Sequence, residues 1–508
     1  MITNYKKSKG EQGLAFLNRI GVNQMTKNLQ LSAEEMRQLG YQAVDLIVDH
    51  MNHLKSKPVS ETIDSNIFRD KLIETIPENG SNPKELLHFL NNNVFNQITH
   101  VDHPHFMAFV PGPNNYVGVL ADFLASGFNV FPTAWIVGAG AEQIELTTIN
   151  WLKSMLGFPD SAEGLFVSGG SMANLTALTV ARQVKLNNDI ENAIVYFSNQ
   201  THFSVDRALK VLGFKQHQIC RIETDEDLKI SVSTLRKQIK EDRLKGKKPF
   251  CVIANAGTTN CGAVDSLNEL ADLCNDEDIW LHVDGAYGAA AILSEKGREL
   301  LSGIHRADSL TLDPHKWLFQ PYDVGCVLIR NSQYLSETFR MIPEYIKDTE
   351  TNIEEKVNFG ERGIELSRRF RALKVWLSFK AFGVTAFREA IDHGIMLAEQ
   401  VEEFLRKEKD WEVVTPAQLG IVTFRYIPCE LTSTDTIHEI NKKLVEEINQ
   451  RGFAMLSTTK LKEKVVIRLC SINPRTTKEE ILQIMMNIKA LAEEINTSPK
   501  HLISVSQP

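Results

Sequence analysis

Between about residues 160 and 330 the chain repeats one pattern: a short apolar run, a stop at Gly, Asn, Asp or Ser, then a segment with helical spacing. This alternation restricts the fold more than any other feature. Strands are expected at Leu165–Ser168, Ala193–Ser198, Phe250–Asn255, Ile279–Val283, Ser309–Leu312 and Gly325–Ile329. Helices fit over 171–186, 203–213, 233–244 and 266–277. Strand and helix in alternation imply an α/β domain built on a mostly parallel sheet covered on both faces.

At 508 residues the chain is long enough for two or three domains. Residues 1–30 show no sustained period and read as a loose arm. A helix is expected from Leu31 to His53: Ser32 and Glu35 fit a capping box, and Met36, Leu39, Ala43, Leu46 and Ile47 recur at helical spacing. Its apolar stripe precedes the main domain and needs a partner. The segment 372–410 reads as a long helical connector, and 411–495 repeats strand and helix on a smaller scale, as at Gly420–Tyr426, Val465–Leu469 and 477–494. The expected division is an arm and helical segment over 1–90, a large domain over 91–385 and a small C-terminal α/β domain over 386–508.

Composition narrows the class of partner. A net charge of −8, from 64 acidic and 56 basic residues, argues against a nucleic acid. No run approaches the roughly 18 apolar residues of a membrane span. Met1–Gln12 is polar and no apolar core follows it, so no signal peptide is expected. The seven cysteines are scattered and form no C-x-x-C pair, which fits reduced thiols in a cytoplasmic protein.

Ligands of open α/β sheets sit beyond the carboxyl ends of the strands. Those ends here carry Ser168-Gly169-Gly170-Ser171, Thr201-His202, Gly257-Thr258-Thr259, Asp284-Gly285-Ala286-Tyr287 and Asp313-Pro314-His315-Lys316-Trp317. Lys316 alone could be a surface lysine; behind a strand, partly desolvated, it would have a lowered pKa and serve as a Schiff-base nucleophile. Asp284 alone could cap a helix; at a buried strand end it needs a cationic partner. Gly169-Gly170-Ser171 opens a helix and can cradle a phosphate. Together the three fit pyridoxal phosphate, which needs a lysine for its aldehyde, a carboxylate for its ring nitrogen and donors for its phosphate. Gly170-Ser171-Met172-Ala173 lacks the last glycine of a hydrolase elbow, and Gly138-Ala139-Gly140-Ala141-Glu142-Gln143 lacks the third glycine of a dinucleotide fingerprint. His202 is either a core histidine or an imidazole stacked on the cofactor. His100, His103 and His105 are interrupted by Pro104 and completed by no Cys or carboxylate beyond Asp102, so no metal is expected.

The combination His282-Val283-Asp284-Gly285-Ala286-Tyr287 and Asp313-Pro314-His315-Lys316-Trp317, with 32 residues from Asp284 to Lys316, resembles the group II pyridoxal-phosphate-dependent amino-acid decarboxylases. That family includes aromatic-L-amino-acid, glutamate, cysteine-sulfinate and diaminobutyrate decarboxylases. His103-Pro104-His105-Phe106, Ser198 to His202 and Arg368 to Lys374 also match, and the resemblance covers about 31–495. It implies an aspartate-aminotransferase-like fold, a homodimer with the N-terminal helix between subunits, and pyridoxal 5'-phosphate as cofactor. Lys316 would carry the cofactor, Asp284 would pair with its ring nitrogen, His202 would stack on the ring and Ala286 would pack beneath it. Gly170, Ser171 and His315 match positions around the phosphate, and Thr258 a hydroxyl near the cofactor. Tyr345 matches a mobile-loop tyrosine that returns a proton to carbon, from its own or the neighbouring subunit. Asp313 departs from the asparagine often found there, and a carboxylate so placed is unfavourable unless it points away. Phe109, Val110, Phe131, Thr133 and Trp135 match the substrate wall. They are mostly apolar, which favours an aromatic amino acid over an acidic one, whose second carboxylate would need an arginine. An aldehyde synthase, an aminotransferase or carbon–sulfur lyase, and a non-catalytic scaffold are the other readings; Tyr345 argues against the first.

Overall fold

The computed structural model describes residues 29–60, 65–341, 357–431 and 433–497. It separates into two units, Met1–Lys57 with Ile63–Ile98, and Pro58–Thr62 with Thr99–Pro508.

In the first unit the capping box forms as expected. Glu35 N donates to Ser32 Oγ (3.2 Å) and Ser32 N donates back to Glu35 Oε2 (2.8 Å), starting a helix over Ala33–His53. Ser32 Oγ also donates to Glu35 Oε2 (2.6 Å), and this bond with that from Ser32 N holds the Glu35 carboxyl below its ordinary pKa. A second helix, Pro83–Asn93, is capped by Asn82, and Lys84 Nζ reaches Gln38 Oε1 at 2.9 Å to tie the two together. No residue of Ala33–His53 is fully buried within the chain.

The second unit holds the sheet that the alternation implies. Its strands are β1 (Glu163–Val167), β2 (Ala193–Ser198), β3 (Ile219–Ile222), β4 (Lys248–Asn255), β5 (Trp280–Asp284), β6 (Ser309–Leu312) and β7 (Gly325–Ile329). Their order is β1-β7-β6-β5-β4-β2-β3. Pairings from β3 through β6 are parallel; β7 runs antiparallel to both β6 and β1. Two reversals cancel, so β1 ends at the same edge as β2, β4, β5 and β6. Strands β2, β5, β6 and β7 are buried at every position, as a sheet covered on both faces requires.

The C-terminal part is α/β but its sheet is antiparallel. Its strands are β8 (Trp411–Gln418), β9 (Ile421–Tyr426), β10 (Ser457–Leu461) and β11 (Lys464–Cys470), in the order β10-β11-β9-β8. Helices Thr434–Arg451 and Lys478–Thr497 share an apolar core with it, including Phe424, Leu444, Ile467 and Ile488. The connector is one helix, Ala372–Arg406, broken at Gly383, whose backbone takes φ 72°. One segment from far earlier joins this core. Met107 is buried in it, Met107 N donates to Met455 O (2.9 Å) and Cys470 N donates to Met107 O (2.9 Å).

Behind β1 lies a buried acidic pair on the helix Trp135–Leu156. Glu145 forms an ion pair with buried Arg368 and accepts from Phe166 N (2.9 Å). Burial, with Glu145 beside it, pushes the Glu142 carboxyl up to about 7 from its ordinary 4.5. The folded chain therefore holds a proton there that the unfolded chain releases. The stability it contributes is complete below about pH 4.5 and is lost as pH rises through 7. Glu142→Gln keeps the shape without the charge. It is expected to remove a pH-dependent loss on the order of 2 kcal/mol between pH 5 and pH 8. Urea unfolding of both proteins at the two pH values checks this; parallel losses would place the titration elsewhere.

Candidate active site

The carboxyl edge of the sheet gathers five strand ends around one cavity of about 430 Å³, a size suited to a small cofactor. Lys316, Asp284, His202, Thr258, Ala286, His315, Gly170 and Ser171, all singled out in the sequence, line it together.

Close packing explains the glycines. A Cβ on Gly169 would stand 3.0 Å from the His315 ring, and one on Gly170 would stand 2.8 Å from Asp313 Oδ2 and 3.2 Å from the Ala286 Cβ. The helix Gly170–Leu186 starts at this point, so its free backbone N–H groups face the cavity end that Ser171 shares.

Asp284 closes β5, and one side chain that the sequence reading passed over fixes it. Asn174, fully buried on the helix Gly170–Leu186, donates from Nδ2 to Asp284 Oδ2 (3.0 Å) and to Ser204 Oγ (3.0 Å). Its Oδ1 accepts from Thr311 Oγ1 (2.7 Å) and from His282 Nε2 (3.0 Å). Ala286 N donates to the other Asp284 oxygen (3.1 Å). Ser204 Oγ, having accepted from Asn174, gives its own proton to His202 Nδ1 (2.8 Å). One amide thus orients both the carboxylate and the imidazole. Asn174 had a signal: it is a polar residue amid Ala173, Leu175, Ala177 and Leu178 on an apolar helix face.

Electrostatics sort the titratable groups. Burial lowers the pKa of His202 and His315, and takes His282 down to about 4, against the pull of nearby carboxylates. All three are neutral at pH 7. Lys316 corrects an expectation. Burial does work to lower its pKa, but Asp313 and Asp284 outweigh it and the net shift is upward. Asp313 is 1% exposed and, far from pointing away, places Oδ2 3.1 Å from Lys316 Nζ and 3.7 Å from His315 Nε2. Its charge is taken up by the lysine.

None of the proposed wall residues is among those that line this cavity within the single chain. Phe109 is 59% exposed and Val110 half-buried. Phe131 borders a different cavity of about 500 Å³ with Asp122, Asn129 and Arg368. Thr133 Oγ1 donates to Leu366 O (2.6 Å) and Trp135 N to Asn358 Oδ1 (2.9 Å). Tyr345 lies outside the described residues.

Comparison with known proteins bears on this geometry. The model of the pyridoxal-dependent decarboxylase conserved domain matches residues 68–427. The chain belongs to the pyridoxal-dependent decarboxylases. Among relatives of this decarboxylase, an aromatic-L-amino-acid decarboxylase of Bacillus atrophaeus is 88% identical over 474 residues, 93% of this chain and 99% of the relative. The crystal structure of Catharanthus roseus tryptophan decarboxylase in complex with L-tryptophan matches with a TM-score of 0.86 at 28% identity, over 92% of this chain and 99% of that one. A 4-hydroxyphenylacetaldehyde synthase of Rhodiola rosea matches with a TM-score of 0.85 at 27% identity, over the same shares.

The residues present fit the family's cofactor. The decarboxylase offers an amine at Lys316, a carboxylate at Asp284 held by two donors, and a helix start where a Cβ on Gly169 or Gly170 would crowd His315 and Asp313.

Proposed function

We propose that the decarboxylase converts an aromatic L-amino acid to its amine and carbon dioxide, as a cytoplasmic homodimer. The observation that carries the aromatic reading is the 88% identity to the Bacillus atrophaeus aromatic-L-amino-acid decarboxylase. Pyridoxal phosphate, when bound, supplies the electron sink for the carbon–carboxylate bond that breaks. The protein's residues do the rest. Lys316 would hold the cofactor by its aldehyde and would yield that place to the substrate amine. Asp284, fixed by Asn174 and Ala286, keeps a proton on the ring nitrogen and so keeps the ring electron-poor. His202, neutral and with Nδ1 committed to Ser204, can lie against the ring without adding charge. Ser171 and the first N–H groups of its helix take the phosphate, with His315 beside them.

The dimer is supported by apolar side chains left open on one chain: Phe123, Phe128, Phe131, Ile136 and Val137 are all exposed, more than a monomer usually leaves in one region. The helix Ala33–His53 has no fully buried residue and is assigned to a dimer contact as well. Seven unpaired cysteines suit a reducing compartment, and among the described residues no helix is long and apolar enough to cross a membrane. The division into an arm over 1–90, a cofactor domain over 91–385 and a small domain over 386–508 belongs to this proposal.

Amine and carbon dioxide should both appear when purified enzyme is offered phenylalanine, tyrosine, tryptophan or 3,4-dihydroxyphenylalanine, and not with glutamate or aspartate. Release of carbon dioxide from the acidic amino acids alone would overturn the aromatic reading.

Tyr345 is assigned the proton returned to carbon after carbon dioxide leaves. Tyr345→Phe keeps the ring and removes that proton. Bond breaking still proceeds, since the electron sink is intact, and under air dioxygen takes the electrons instead. The product should shift from amine to aldehyde, ammonia and peroxide. A variant that makes amine at the wild-type rate with no aldehyde would exclude Tyr345 as donor.

A further inference from the structure

Phe109 combines two unusual properties. Its backbone lies in the left-handed region at φ 48°, which side chains other than glycine rarely adopt, and its ring is mostly open to solvent. Such a conformation persists only where the surroundings impose it. The surroundings here are the Phe106 ring, its centroid 6.4 Å from that of Phe109, and one polar side chain. Arg468, on β11 of the small sheet and 3% exposed, donates from Nη1 to the Phe109 carbonyl and from Nε to the Thr259 carbonyl (2.8 Å).

Thr259 lines the cofactor cavity. A single guanidinium joining the two carbonyls therefore holds the Phe109 backbone beside Thr259, a residue of that cavity's lining. The preceding residues are fastened to the same small sheet. Met455 N donates to His105 O (3.0 Å), and Met107 is bonded on both sides, to Met455 and Cys470. The chain is thus held up to Met107 by backbone bonds, and its last carbonyl before the turn is held by Arg468. The rigid planar fork of arginine suits this task; a lysine ammonium is a point donor on a flexible stem and cannot span both carbonyls in fixed geometry.

We propose that Arg468 is a positioning residue for substrate selection: by holding Phe109 in its left-handed backbone against Thr259, it aims the Phe109 ring across the mouth of the cavity as a wall for the substrate side chain. This rests on the reading of the enzyme as an aromatic amino-acid decarboxylase. Arg468 acts through Phe109 and touches neither cofactor nor reacting atoms.

The test is a double-mutant cycle on the full-length holoenzyme, with Arg468→Lys, Phe109→Ala and the double variant. Kinetics with an aromatic amino acid should show KM raised about tenfold in each single variant, the scale of one misplaced apolar contact, with kcat changed less. The double variant should be no worse than Phe109→Ala, because the arginine has nothing left to aim. KM losses that multiply, or a fall in kcat at constant KM for Arg468→Lys, would overturn the assignment. In parallel, 4-fluorophenylalanine at position 109 reports the ring directly by fluorine NMR. One resonance in the parent that splits or moves toward the free amino-acid position in Arg468→Lys is expected; an unchanged resonance overturns the proposal whether or not the enzyme decarboxylates anything. A parent enzyme inactive on every amino acid would sink the functional reading and leave the fluorine result to decide this one. Arg468→Gln, which keeps one planar donor, replaces the lysine variant if that protein does not fold.

Discussion

Lys316→Ala is expected to abolish turnover, a loss of at least about four orders of magnitude, or more than about 5 kcal/mol of barrier lowering. Among the described residues no other amine lines the cavity, so none of them replaces the group that anchors the cofactor and later releases the product. The structure adds a second consequence. Among the described residues Lys316 is the cation paired with Asp313, with His315 farther off and neutral. Truncation leaves a buried carboxylate without its counter-charge, which costs roughly 3 kcal/mol of stability. Adding Asp313→Asn should restore most of that stability and none of the turnover. Thermal melts and a carbon dioxide assay on the two variants separate the effects. Turnover near the wild-type level in Lys316→Ala would remove the lysine from the mechanism.

Asp284→Asn is expected to reduce kcat/KM by about two to four orders of magnitude, the equivalent of roughly 3–5 kcal/mol. The amide keeps the side-chain shape and one acceptor, so it can still take the bond from Asn174 or from Ala286, which both reach the carboxylate at about 3 Å. What it cannot do is hold a proton on the ring nitrogen by charge. Losing this anion also removes one of the two carboxylates that raise the pKa of Lys316. The absorbance of the bound cofactor should therefore titrate at a lower pH in the variant. Activity within tenfold of the parent would refute the pairing.

Much of this site could be read from the chain because it is local in sequence. Each strand ends where its apolar run stops, so β2, β6 and β7 fall where the runs place them and the reactive groups follow within a few residues. The sheet edge then does the assembly. Less could be read where partners are distant or where a pattern is weak. β3 is a short edge strand whose Arg221 faces solvent, and it lacks the apolar run that marks the others. The order β10-β11-β9-β8 is antiparallel, a property of pairing that strand positions do not specify. Lys316 was expected to be lowered by burial, which a single residue's surroundings suggest. The opposite sign comes from Asp284, 32 residues away in the chain, and from Asp313, whose side chain turns inward. Phe109 was legible as apolar, but not its backbone angle or the arginine far along the chain that imposes it.

The insertion of Met107 into the small sheet sets a schedule for the nascent chain. The bridge between Phe106 and Met455 spans about 350 residues. At about 5–20 residues per second, the ribosome delivers its second half roughly 20–70 seconds after its first. During that interval Met107 has no core to enter. Contacts of such long range are also slow to find in refolding, because a large loop must close before they form. The C-terminal sheet is correspondingly not a module that could be expressed alone from residue 386. Without residues 105–107 it would lose a backbone partner on Met455 and Cys470 and a side chain from its interior, and the enzyme reaches its working form only when the last strands have arrived.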